Sequence, residues 1–256
     1  MRILHADSLK LNLKIVTMKS GLKLILGCLI LLGIANCSCD TRLWKSGSGN
    51  IVEQERQLKD FKGIEAGGAV EVNINQGDSQ KVVVITDDNL QEDVKTEVSD
   101  NILKIYTEHH LSGFNKLKVN IIVKEIESIE LTGASRLYAK GTFISGKMKI
   151  NLSGASQLEM DIKAIEINSE ISGASNLILN GAVGDFKLEA SGASKCEGFN
   201  LTSANSDVSA SGASKISITC DHELKIDASG ASTINYRGNA KILKSDVSGA
   251  SNISKD

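Results

Sequence analysis

The chain has 256 residues, with 29 Lys and Arg against 31 Asp and Glu, for a formal net charge of −2. Only 4% of residues are aromatic and proline is absent, which argues against a globular sandwich and for a core of stacked aliphatic rows. Removing residues 1–36 takes away five basic residues and one acidic one, so the remainder carries about −6, which argues against a nucleic-acid partner.

Residues 1–36 read as a signal-peptide region. Met1 to Thr17 lacks signal character, whereas Met18-Lys19-Ser20 opens a better one. Lys19 and Lys23 supply a basic start, and Leu24 to Ala35 is an apolar run of 12 residues. That run is shorter than the roughly 20 residues needed to span a bilayer and suits a signal peptide. Translation is therefore expected to begin at Met18. Ile34-Ala35-Asn36-Cys37 resembles a bacterial lipoprotein box, which makes Cys37 the expected lipidation site. Cys39 is the alternative acceptor, and plain cleavage of the signal is the alternative outcome. Residues 37–48 then read as a lipid-anchored tether, rich in Ser and Gly after Trp44.

A β-helical domain is expected over residues 49–256. Its first half is all-β without a visible period. Val70, Val72 and Ile74 alternate with polar residues before a turn at Gln76-Gly77-Asp78, and Val82, Val84, Leu103 and Ile105 continue the pattern. Glu92 to Ser99 fits a brief helix or a strand, with strand preferred. His109 and His110 fall in a polar stretch and read as solvated rather than metal-binding. Leu117, Val119, Ile121 and Val123 alternate cleanly. This half forms either the first, irregular coils of the domain or a small sheet that caps it.

The second half is organised around Ser/Thr-Gly-Ala-Ser, repeated seven times with its glycine at Gly133, Gly154, Gly173, Gly192, Gly212, Gly230 and Gly249. A period of 18 to 21 residues carried by small residues marks a stacked repeat. Two residues before each glycine stand Leu131, Leu152, Ile171, Ala190, Ala210, Ala228 and Val247. Four after it stand Leu137, Leu158, Leu177, Cys196, Ile216, Ile234 and Ile253. Four before it the series is apolar except at Ser169 and Ser245. Apolar residues at every second position indicate half-buried strands. Each repeat therefore predicts a strand, a glycine corner, a second strand, and a turn near Gly141, Gly181, Gly198 or Gly238. A unit of about 19 residues cannot bury its own apolar face, so neighbours must stack, as in a parallel β-helix with coils about 4.8 Å apart. The glycines then form a structural column where a bend favours a residue without Cβ. Parity leaves open whether the Ser after Ala faces inward. A hydroxyl array for a ligand would favour threonine, present only at Thr132.

Cys196 and Cys220 fall at inward positions offset by about 13 Å along adjacent coils, beyond the roughly 7 Å a disulfide allows. Both are expected to stay reduced and buried. No Cys/His spacing suggests a metal, and neither a cofactor nor a catalytic residue is expected. The far end carries no obvious cap, so either charged residues blunt it or two copies pair edge to edge as a homodimer.

Gly49-Asn-Ile-Val-Glu-Gln-Glu-Arg56, Phe61-Lys-Gly-Ile-Glu65, Val70-Glu-Val-Asn-Ile-Asn-Gln-Gly77 and Ile126-Glu-Ser-Ile-Glu-Leu-Thr-Gly-Ala-Ser135, with the later corners, resemble the auto-transporter adhesin head domain family, called the GIN domain. The resemblance covers roughly residues 49–256. It implies an all-β, right-handed parallel β-helix, common in secreted or lipid-anchored envelope proteins of Gram-negative bacteria, and it carries no catalytic residues.

The expected function is that of a non-enzymatic lipoprotein of the outer membrane, held by its N-terminal lipid and binding a glycan or surface protein through a long flat face. One alternative is a polysaccharide lyase or glycosidase, which needs convergent carboxylates. Outward residues read as too scattered for that, with no two neighbouring coils stacking carboxylates in register without intervening polar or basic residues. A structural or sensory part of an envelope complex is the other. Tyr138, Tyr236 and Phe199 are the aromatics available to stack on sugar.

Overall fold

The computed structural model describes residues 44–114 and 116–256. The signal region and the first tether residues, with Cys37 and Cys39, lie outside them. The first part holds β1 (Trp44–Ser46), β2 (Ile51–Arg56), β3 (Gly63–Ala66), β4 (Glu71–Gln76), β5 (Lys81–Asp87), β6 (Val94–Ser99), β7 (Ile102–Thr107), β8 (His110–Ser112) and β9 (Leu117–Val123). The repeats hold β10 (Ser128–Leu131), β11 (Arg136–Leu152), β12 (Gln157–Ile171), β13 (Asn176–Ala190), β14 (Lys195–Ala210), β15 (Lys215–Ala228), β16 (Thr233–Arg237), β17 (Lys241–Val247) and β18 (Asn252–Lys255).

The repeats stack as a parallel β-solenoid. Each strand pairs in parallel with its equivalent one repeat away, from β10 on β11 through to β17 on β15 and β18 on β16. The pairing follows the apolar columns: Ile129, Ile150, Ser169, Leu188, Val208, Ile226 and Ser245 are successive register partners. All but Ser245 are buried. A single core cluster runs the length of the stack, built almost wholly of Leu, Ile, Val, Ala and Met. Aliphatic side chains at one-coil spacing interdigitate with few rings, Phe61, Phe143 and Phe186 being the buried ones, which accounts for the scarcity of aromatics.

The second bend differs from the expected turn. β11 to β15 each run 14 to 17 residues through the bend, with the pairing register shifting there between Tyr138 and Thr142, Ile178 and Gly181, and Gly198 and Thr202. Gly141 and Gly181 take φ of +77° and +114° there, and Gly238 takes +98° in the break between β16 and β17, but Gly198 is buried within β14 and does not adopt positive φ.

The non-periodic half is both first coil and cap. β3 and β4 make a coil whose corner lies at Gly67-Gly68, and β10 pairs on β3 while β11 pairs on β4. On the other side of that coil lie β7 and β9, both parallel to it. Antiparallel strands then close this end: β6 on β7, β5 on β9, and β2 on β5. The outermost strand, β2, carries Glu53, Glu55 and Arg56, whose charge and solvation blunt a free edge. Glu92 to Ser99 resolves as strand from Val94 onward.

Residues 44–48, within the stretch read as a tether, are docked. β1 pairs in parallel with β8, and the Ser48 amide donates to Asn89 Oδ1 at 2.9 Å. The two histidines are also engaged rather than simply solvated. His109 Nδ1 lies 2.6 Å from Asp93 Oδ1, and His110 stacks on Trp44 with ring centroids 5.4 Å apart. Asp93, whose side chain is 4% exposed, also takes an ion pair from Lys45. Burial pushes its carboxyl up, yet the hydrogen bonds from Lys45 and His109 outweigh this and hold it below the usual range.

Candidate functional site

Each corner is set by its glycine for two reasons. The seven glycines adopt φ between +69° and +76°, a region that costs other L-residues roughly 1–2 kcal/mol. A Cβ on any of them would also fall within 2.7 Å of the carbonyl oxygen of the glycine one coil below. That closeness comes from a hydrogen-bond ladder through the corner: Ala155 N donates to Gly133 O, Ala174 N to Gly154 O and Ala193 N to Gly173 O, at 2.7 to 2.8 Å. The glycines and alanines face solvent.

The Ser that follows Ala turns inward. Ser135, Ser156, Ser175, Ser194, Ser214 and Ser232 are all buried, forming a hydroxyl row inside the core. Ser175 Oγ donates to the Ser172 carbonyl at 2.7 Å, and Ser135 Oγ to the Thr132 carbonyl at 2.8 Å. Ser194 and Ser214 Oγ have no such partner. These serines hold the corner and are closed to ligands.

The surface beside the corner has different chemistry. On the strand leading into it, the outward residue three before each glycine belongs to one column: Glu130, Asn151, Glu170, Glu189, Ser209, Asp227 and Asp246. Glu170 and Glu189 are direct register partners, as are Asp227 and Asp246. This corrects the expectation that no neighbouring coils stack carboxylates. The signal lies at position −3 of each repeat, and it vanishes when all outward residues are pooled.

Two residues earlier a second column carries Lys149, Lys187, Lys225 and Lys244, interrupted by Asn168 and Asp207. Lys187 pairs with Glu189 and Lys244 with Asp246, each at 2.8 Å. The hydrogen bond and charge of Glu189 raise the Lys187 ammonium above its ordinary value. Glu170 and Asp227 make no ion pair among the described residues.

Between the carboxylate column and the corner hydroxyls Ser153, Ser172, Ser191, Ser211 and Ser229 runs a groove of about 530 Å³. It extends from Glu130 to Asp227, about 24 Å at one coil per 4.8 Å. Its floor is the outer backbone at Leu152, Ile171, Ala190 and Ala210. Rows of acceptors and hydroxyls repeating at one-coil spacing suit an extended polar chain better than a compact molecule.

Other candidates are less open. Phe199 lies beneath the Arg237 guanidinium, 3.8 Å from its ring centroid, so one of its faces is covered. Tyr138 and Tyr236 are half-buried. Cys196 and Cys220 are free thiols in the core, and burial pushes the Cys196 thiol up to about 12. No group of three or more His, Cys, Asp or Glu among the described residues is placed to hold a metal ion.

Solved structures share this fold. A crystal structure of a "putative adhesin" from Bacteroides fragilis aligns with a TM-score of 0.78 at 20% identity, covering 83% of this chain and 100% of that one. A "putative lipid binding protein" from Parabacteroides distasonis aligns at 0.67 and 20% identity, over 83% of this chain and 99% of that one. A "putative adhesin" from Parabacteroides merdae aligns at 0.68 and 16% identity, with the same coverage. Among curated proteins, none matches. The model of the family described as "Putative auto-transporter adhesin, head GIN domain" matches residues 60–240, more than half of the sequence. The chain belongs to this GIN-domain family of adhesin-type β-solenoids.

Proposed function

We propose that the protein is a non-enzymatic cell-envelope lipoprotein that holds an extended glycan along the groove beside its glycine corners. The observation that carries this reading is the groove itself, in which the same pair of polar rows recurs coil after coil. A linear polymer of similar repeat can meet several equivalent contacts at once, so weak single contacts add along its length. Export and lipid attachment at Cys37 rest on the sequence and agree with the adhesin designation of the family.

One observation favours a glycosidase or lyase instead: Glu170 and Glu189 stack in register. Both are exposed on an open wall, however. Glycoside cleavage needs one carboxyl kept protonated beside an ionised one, and a shared open setting gives no means of separating the two roles. Binding fits these residues better.

A glycan array with the full chain tests the groove. Charge reversal in Glu170→Lys or Asp227→Lys is expected to weaken binding about tenfold, as loss of one or two charge-assisted contacts does. Arg136→Glu, on a strand outside the groove, should leave it unchanged. An array without ligands, or a protein segment captured in their place, would overturn the glycan assignment. Lipid attachment is checked separately by fatty-acid incorporation that disappears in Cys37→Ala.

A further inference from the structure

Among the described residues, the first and last strands of the stack are covered differently. At one end β2, β5 and β6 cover the first coils in antiparallel fashion. At the other, β17 pairs with β15 alone among the described residues, and all seven of its residues are exposed. Three of them are large and apolar: Ile242 at 43%, Leu243 at 44% and Val247 at 52%. A row of unpaired backbone donors and acceptors beside apolar side chains is a template for another strand.

We propose that this edge is a homodimer interface in which β17 pairs antiparallel with the same strand of a second copy about a two-fold axis. The occupant follows from register and charge. β17 carries an extra residue between its partners Leu224 and Lys225, so that Ile242 matches Leu224 while Lys244 matches Lys225. Leu243 is therefore a bulge, and the inward and outward sequence changes phase across it. Lys241, Lys244 and Asp246 point outward, whereas Ile242, Ser245 and Val247 continue core columns. An antiparallel pair centred between Leu243 and Lys244 sets Lys241 opposite Asp246 and Ile242 opposite Ser245. Outward residues then meet outward residues and inward meet inward, which a strand without the bulge would not allow in this register.

The two-fold repeats the Lys241–Asp246 pair, so opposite charges face each other twice, and Ala240 comes over Val247. An isologous contact of this kind closes after two copies and leaves no further edge of β17 open. It joins the strand faces of both protomers into one sheet, independent of what the groove holds.

Sedimentation velocity of the full chain over a wide concentration range tests the proposal, with charge swaps as its specific arm. The unmodified protein is expected to reach a dimer. Lys241→Asp or Asp246→Lys alone places like charges opposite each other at two symmetric positions, and should weaken the dimer about tenfold or more. The double variant K241D/D246K restores both attractive pairs and should recover most of the association. Matching circular dichroism spectra keep a folding defect from being read as a dissociation. A protein that stays monomeric at high concentration overturns the proposal. So does a dimer indifferent to both single reversals, or one that the double swap fails to restore.

Discussion

The periodic coils and the capping half use the same β-strands but hold them by different rules. Within the repeats, every strand meets its equivalent one coil away, so the same kind of contact recurs from level to level. In the cap, β3 sits between β7 and β10, which are distant in sequence, and β5 is enclosed by β2 and β9 running against it. Stability in the repeats is therefore tied to identity at each column. In the cap it is tied to individual polar latches such as Lys45, Asp93 and His109.

Substitutions can break that contrast, and the largest effect is expected at a corner. Gly173→Ala faces both the left-handed backbone and the carbonyl of Gly154, and should cost about 4 kcal/mol in denaturant unfolding. Gly113 in the capping half also has positive φ, +56°, but a Cβ added there would meet nothing within 4 Å. Gly113→Ala should therefore cost only about 1 kcal/mol. Equal losses at the two sites would show that stacking adds nothing to the corner.

A core column gives the next effect. Leu158 is fully buried between Leu137 and Leu177, and Leu158→Ala should cost about 3 kcal/mol through lost burial and a residual cavity. The same denaturant curves should show the loss as a shifted midpoint at unchanged slope.

A smaller effect than either the corner or the core column sharpens the cap side. Because the Asp93 carboxyl lies below its ordinary value in the folded protein, its contribution is complete above about pH 4 and fades as pH falls through the lowered value. Asp93→Asn should lower Tm by a few degrees near neutral pH, consistent with about 1–2 kcal/mol for charge-assisted hydrogen bonds to half-exposed partners. The gap to the unmodified protein should hold from neutral pH down to about pH 4 and narrow below it. A gap independent of pH would separate the latch from the charge on Asp93.

The two halves also differ in how far the sequence speaks for them. The columns at Leu131, Leu137 and their equivalents are readable because burial imposes the same demand at fixed spacing from each glycine. The inward turn of Ser135 and its equivalents is not, since the corner residues interrupt strand alternation and reset its phase. The −3 column is readable in principle, for Glu170 and Glu189 occupy equivalent positions. It becomes a groove wall only when the stack sets their backbones side by side. Nothing local to Lys45, Asp93 or His109 marks them as neighbours, since their meeting depends on β1 crossing to β8.

The shared corner has a further consequence. Because each Gly-Ala step hands the next coil the same backbone geometry, one whole repeat can be copied or deleted between equivalent glycines without redesigning its neighbours. Unequal recombination within the gene would thus lengthen or shorten the molecule in increments of one coil, changing its reach while sparing its core.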